Sequence, residues 1–560
     1  MASGAEESHL CALPLDESVC GNGGAVYQKG DFFRSRTRLT YRRDERFERF
    51  ARRGRDLERG DRPVVNVEEN EIGEGPARID PYALHRHSPL SRCKPYAITP
   101  LQNRATLRSY NIFQARNEAA KVVLVRELSS WSRTKTFVHD LVNSDPSWQY
   151  KGWPHFADPT DLRAILGAPL NIFSDDFMFP VATISADHLE HNISTVATFC
   201  EESGVSLSPH AKTTMSPEII ERQLAAGAWA ITAATASQAQ VFRAFGVKRI
   251  LIAHQLVDPA SVRWLANELI ENPEVQIMCL VDSIESVESM ERALAESPKG
   301  RPIGVLVELG IAHGRTGCRT SEEAIEVARL VRSSSRLSLL GIEGYEGVIH
   351  STGEEYSGVD EFLWQIRKLA TQLDDLELFD HLDEIIVTAG GSMFPDRVVS
   401  ILGSDWDMSK PTRLVIRPGC YVTHDSVLYS DSGPFGRRVP MDAYPSLCAA
   451  LHVWSYVVSK PEPDIVILGF GKRDASFDID LPTPIIIRRD QWVRGVNGEL
   501  EVFALDDQHA YVRVEEGFEI AVGDIVGCGI SHPCTTFDRW RAIPLVNDNF
   551  DVVGLIRTFF

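Results

Sequence analysis

Eight apolar runs of strand length, continuous rather than alternating, recur between residues 205 and 418: VSLSP (205–209), WAITAAT (229–235), RILIAHQL (249–256), VQIMCLV (275–281), IGVLVEL (303–309), LSLLGIE (337–343), EIIVTA (384–389) and RLVIRP (413–418). Segments with helical spacing separate them, such as 216–227, 258–270 and 321–333. A strand that is apolar at every position has to be buried on both faces, the condition of a parallel sheet covered by helices. Eight such units in series predict an α/β chain built on a (β/α)8 barrel, with its site at the carboxyl ends of the strands.

The texture changes near SDSGPFG (430–436), after which short strands broken by turns predict a mainly antiparallel β-domain. The expected division is therefore a barrel over 178–430 and a β-domain over 431–560. Ahead of them, residues 1–65 lack apolar periodicity, and 34–62 hold twelve arginines against six acids, as in a solvated arm. Residues 66–177 read as an extension packed on the main body, with Trp148, Trp153 and Pro154 marking a compact turn.

A formal net charge of −20 disfavours nucleic acid and anionic membranes as partners. Ten scattered cysteines without a CxxC pair point to reduced thiols rather than a disulfide framework. With no leader-like start and no apolar stretch of spanning length, the cytoplasm is the expected location.

The polar residues gather where a barrel would use them. Lys212, in PHAKTT, follows the first strand and is a candidate amine for bonding a carbonyl cofactor. Strand seven runs into Gly390-Gly391-Ser392 and strand eight into Gly419-Cys420-Tyr421, where close-approaching backbone N–H groups and hydroxyls suit an anion. GGS also marks ordinary tight turns. After strand five, Arg315 sits in a glycine-flanked loop, free to meet a cofactor or substrate anion or else to pair with Glu308. Tyr345 follows strand six in GYEG, and His350 reads as a solvated loop residue. In the β-domain, His532 and Cys534 are two apart in SHPC, a partial zinc shell that two ligands alone do not fill. His509 reads as a structural histidine.

Taken in order, PHAKTTMSP, ELGIAHGRTG, GYEG, TAGGS, RPGCYVTHD, GFGKRDASFDIDLP, LDDQHA and SHPCTTFDRW resemble the D-serine dehydratase and D-threonine aldolase-like family. These are pyridoxal-phosphate enzymes of the alanine-racemase type, and the likeness is strongest to the low-specificity D-amino-acid deaminase branch. It covers about residues 178–560. It implies that Lys212 bonds pyridoxal 5'-phosphate, that Arg315 contacts the cofactor ring oxygen, and that Gly391, Ser392, Gly419 and Tyr421 hold the phosphate. Tyr345 matches a family position less securely. The resemblance also implies a divalent metal, zinc in the dehydratases, at His532 and Cys534, and a small D-amino-acid substrate. A head-to-tail homodimer is implied too, which would let His532 reach Lys212. Family aldolases tend to carry Asp where this chain has Cys534, which favours loss of water from the substrate over cleavage of its Cα–Cβ bond. The aldolase reaction and a non-catalytic cofactor carrier are the alternatives. Thr214 stands where relatives often carry His.

Overall fold

The computed structural model describes residues 150–154, 170–349, 356–403, 406–439, 443–490 and 492–560. The Arg-rich arm, most of the 66–177 extension and His350 lie outside the described residues.

The described strands form two sheets, and the first strand, β1 (Val181–Ser185), joins the second of them. The first sheet holds the eight apolar runs: β2 (Ser206–Leu207), β3 (Ile231–Ala233), β4 (Arg249–Gln255), β5 (Gln276–Val281), β6 (Ile303–Leu309), β7 (Leu337–Gly344), β8 (Ile385–Ala389) and β9 (Thr412–Ile416). Their order is β2-β9-β8-β7-β6-β5-β4-β3, every pair is parallel, and the two ends meet through a bridge between His210 and Thr232. All but the first residue of β5, and every residue of β8, are buried. That two-sided burial is the reason these strands lack alternation.

Four of the intervening helices begin where a side chain satisfies a free N–H group. Thr235 caps Ala236–Ala244, Asp258 caps Pro259–Glu271, Ser283 forms a capping box over Ile284–Leu294, and Thr320 caps Ser321–Ser333. Each cap follows the carboxyl end of the strand before it.

The second sheet is mainly antiparallel, as expected, and includes β10 (Leu451–Glu462), β11 (Ile465–Leu468), β12 (Thr483–Arg489), β13 (Trp492–Gly495), β14 (Leu500–Leu505), β15 (Ala510–Val514), β16 (Ile525–Gly529), β17 (Ala542–Val546) and β18 (Val552–Arg557). Although β1 falls inside the stretch read as barrel, it pairs antiparallel with β10 and parallel with β17. Among the described residues the chain thus passes through the β-domain sheet, builds the barrel, and returns. One hydrophobic core runs through both parts, from Ile184 and Leu189 to Val457 and Ile543. Asn192 ties them as well: buried in helix Ala186–Glu202, it donates to the carbonyls of Val422 and Cys448 and accepts from the Cys448 N–H.

The turn around Trp153 does rest on the main body. Trp153 is buried against Ala542 and Leu555, and Lys151 bonds Asp474 at 2.8 Å while lying 3.9 Å above the Trp540 ring. No helix among the described residues is long and apolar enough to cross a membrane.

Candidate active site

Lys212 lies in the short helical turn Ala211–Thr213 directly after β2, its side chain exposed while both neighbours are buried. The turn is seated on the loop after β9. His210 N–H donates to Pro418 O at 3.0 Å, and a Cβ added to Gly419 would lie 2.6 Å from Thr213 Oγ1 and 2.8 Å from His210 O. Gly419 is therefore fixed by close packing: only glycine lets the eighth-strand loop approach the lysine turn this closely.

Two buried polar atoms on either side of Lys212 in sequence, His210 Nδ1 and Thr214 Oγ1, have no hydrogen-bond partner among the described residues. Such orphans are costly unless something satisfies them, which suits a site that receives a polar group. Burial, reinforced by the charges of Lys212 and Arg417, holds the His210 imidazole well below its usual range and so keeps it neutral.

Arg315 does not pair with Glu308. The Glu308 carboxylate accepts from Gln255 and from Thr316, the latter at 2.8 Å, whereas the Arg315 guanidinium stands 4.5 Å above the Tyr345 ring. Tyr345 in turn covers Gly391, where an added Cβ would meet its ring at 3.0 Å. Arg315, Tyr345 and Gly391 thus form one wall.

At the positions expected to bind phosphate the arrangement is more selective than the motifs suggest. The N–H groups of Gly390 and Gly391 donate to the buried carboxylate of Glu346, at 2.9 and 3.1 Å. Tyr421 is buried and its hydroxyl accepts from Gln223 at 3.0 Å. Ser392 and Tyr421 do share one narrow cavity, with Pro418, His424 and Tyr429. The turn Cys420–Val422 opens there, and the first N–H groups of a helical turn have no partner within it. An anion at that end could therefore be met by Ser392 and the start of this turn, whereas the Gly391 amide is already taken by Glu346.

Cys534 meets the lysine turn within one chain, and His532 stands beside it. Cys534 Sγ lies 3.3 Å from Thr213 Oγ1, and the short helix Cys534–Phe537 rests on the turn. No exchange between subunits is needed to bring the SHPC segment to Lys212. Asp478 bonds His532 Nδ1 at 2.5 Å and Thr535 Oγ1 at 2.8 Å, orienting the imidazole. Hydrogen bonding to Cys534 raises the His532 pKa to about 9, with Asp478 adding to it and burial opposing. Hydrogen bonding with Cys420, then with His532 and Thr213, holds the Cys534 thiol well below the ordinary thiol range in spite of burial. A soft thiolate beside an imidazole oriented by a carboxylate is a donor set that suits zinc.

Behind these residues stands a buried charged layer that the motifs did not single out. Arg417 bonds Glu343, Thr388 and the carbonyl of Gly344. Burial pushes Glu343 up to about 8, with Arg417 opposing. Glu343 and Glu346 flank Tyr345, and Arg417 opens RPGC. A charge embedded at the end of an apolar strand was the available signal. His509, expected to be structural, is exposed at a turn.

Family models match in two places: the alanine racemase N-terminal domain over residues 184–393 and the putative serine dehydratase domain over 450–546. D-Threonine aldolase of Arthrobacter sp is 26% identical over 372 residues, covering 66% of this chain and 89% of that protein. D-threo-3-hydroxyaspartate dehydratase of Delftia sp. (strain HT23) is 28% identical over 154 residues, or 27% of this chain and 38% of that protein. The crystal structure of D-threonine aldolase from Filomicrobium marinum superposes with a TM-score of 0.57 at 21% identity, covering 68% of this chain and 95% of that one, a likeness of fold.

Proposed function

Because the chain belongs to the fold-type III pyridoxal-phosphate family, with an alanine racemase N-terminal domain followed by a serine dehydratase domain, we propose that it is a dehydratase of D-β-hydroxy amino acids such as D-serine or D-threonine, releasing a 2-keto acid and ammonia. Its relatives divide between dehydratases and aldolases. The observation that carries the choice is Cys534 beside the lysine turn, 3.3 Å from Thr213, with the neighbouring carboxylate already engaged. Aldol cleavage needs a base for the β-hydroxyl proton. Asp478, the carboxylate bonded to His532, has one oxygen on His532 and the other on Thr535. Loss of the hydroxyl needs an electrophile there instead, and a Cys-His pair would hold one.

Pyridoxal phosphate, when bound, draws electrons away from the substrate Cα. Lys212 would hold it through its carbonyl and, as a free amine, would take the Cα proton. Arg315 would face the cofactor ring, with Tyr345 backing the guanidinium. Ser392, Gly419 and Tyr421 would hold the phosphate, supported by Gly391 through its close packing with Tyr345. His532 and Cys534 would hold a divalent metal, zinc by the softness of the sulfur, which would supply an electrophile for the β-hydroxyl. A non-catalytic carrier would have no use for that pair at the lysine turn.

The test is incubation of the purified protein with D-serine, D-threonine and their L forms, followed by assay of keto acid, ammonia, glycine and aldehyde. Keto acid with ammonia from the D forms is the expected result. Glycine with aldehyde would replace the assignment with aldolase, and no product from any of them would favour the carrier.

A further inference from the structure

Cys534 touches a second thiol. Cys420 is 6% exposed, at the start of the turn after β9, and its Sγ lies 3.5 Å from Cys534 Sγ. The two cysteines are 114 residues apart, one from the barrel and one from the β-domain. They differ in access: Cys534 is half-buried, whereas Cys200, Cys279, Cys318, Cys420, Cys448 and Cys528 are buried. Among the described cysteines, an oxidant arriving from solvent therefore meets Cys534 first, and a sulfur already in contact with it is Cys420.

We propose that Cys534 and Cys420 are an oxidation site for hydroperoxides, in which Cys534 is the sulfur oxidised and Cys420 the thiol that closes a reversible disulfide between barrel and β-domain. In the first step Cys534 Sγ attacks the peroxide. An S–O bond forms and the O–O bond breaks; the sulfur is oxidised to a sulfenic acid, and the reduced oxygen leaves with the thiol proton as an alcohol, or as water from hydrogen peroxide. In the second, Cys420 Sγ attacks the Cys534 sulfur. The S–S bond forms, the S–O bond breaks, and hydroxide departs with the Cys420 proton as water. This shortens an existing contact to the ~2.0 Å of an S–S bond and recruits no distant group. A dithiol reverses it by exchange at the more accessible sulfur. The effect on turnover rests on the assignment of Cys534 as a metal ligand: a sulfur held in a disulfide is no longer the thiolate that binds a metal, so oxidation stops loss of the β-hydroxyl and reduction restores it.

The experiment treats the full chain, cofactor bound, with excess hydrogen peroxide, blocks the remaining thiols and maps peptides without reductant. A peptide pair joining Cys420 to Cys534, lighter by two hydrogens than its halves and lost on adding dithiothreitol, is expected to take up most of the Cys534 signal. Cys534 left unoxidised, ending as sulfinic acid, or joined to another cysteine overturns the proposal. Cys420→Ser gives a second readout. Without the second thiol, Cys534 should pass on to sulfinic acid, so that dithiothreitol recovers roughly tenfold less of its thiol than in the wild type. Equal recovery also overturns the proposal. Activity separates the two assignments. A linked peptide with unchanged keto acid formation leaves the oxidation site standing and counts against Cys534 as a metal ligand. Loss of keto acid formation without the linked peptide overturns the oxidation site alone.

Discussion

Thr213, the residue after Lys212, bonds Cys534 across 321 residues of sequence, Oγ1 to Sγ at 3.3 Å. That contact joins the turn that carries the barrel's amine to the β-domain's thiol. The predictions below separate what each side contributes.

Lys212→Ala removes both the group that bonds the cofactor and the base for the Cα proton. The visible imine absorbance should disappear, and keto acid formation should fall by ~10²–10⁴-fold. Spectra and product assays on one preparation check it. A variant that kept both absorbance and activity would refute the assignment of the amine.

His532→Ala acts on the other half. With Lys212 in place, exchange of the Cα proton of D-alanine for deuterium should persist, since that substrate has no β-hydroxyl. Keto acid formation from D-serine should fall roughly 10²-fold, equivalent to about 3 kcal/mol of barrier. Chelation of the wild type should reproduce this split, and added Zn2+ should reverse it. Equal loss of exchange and product would argue against separate roles.

Gly419→Ala inserts a Cβ 2.6 Å from Thr213 Oγ1 and 2.8 Å from a backbone oxygen that cannot move alone. The expected cost is about 1–3 kcal/mol of stability, with a displaced lysine turn and reduced cofactor retention. Denaturant midpoints and the imine absorbance of the purified variant measure the two effects.

Glu343 gives a pH signature. Its folded pKa is raised from 4.5 to about 8 by burial, with Arg417 opposing. Between those values the unfolded chain has released a proton that the folded chain keeps. Stability from this group is thus complete at low pH, falls as the pH rises through that window, and levels off above about 8. Glu343→Gln should flatten that part of the melting-temperature profile. Any cost from the altered contact with Arg417 would apply across the range, so the slope is the informative quantity.

Much of the site was legible because its groups sit at the ends of recognisable strands. The order and parallel character of β2–β9 follow from runs such as IGVLVEL and EIIVTA, which only burial on both faces explains. The position of Lys212 after β2 and of Ser392 after β8 follows from the same periodicity. The use of the Gly391 amide was not legible, because the Glu346 carboxylate that takes it comes from the preceding strand's loop. Nor was the Arg417–Glu343 pair, which joins β7 to the end of β9.

By itself the sequence determined the barrel, the β-domain, the candidate amine and the His-x-Cys segment, since each is written in local patterning and local spacing. Only the tertiary structure decided that β1 belongs to the second sheet, that the SHPC segment reaches the lysine turn without a partner chain, and that Cys420 faces Cys534. These are contacts between residues hundreds or at least a hundred positions apart. Nothing local encodes them: they arise when two sheets that share one core close on each other and bring their loops to a common mouth.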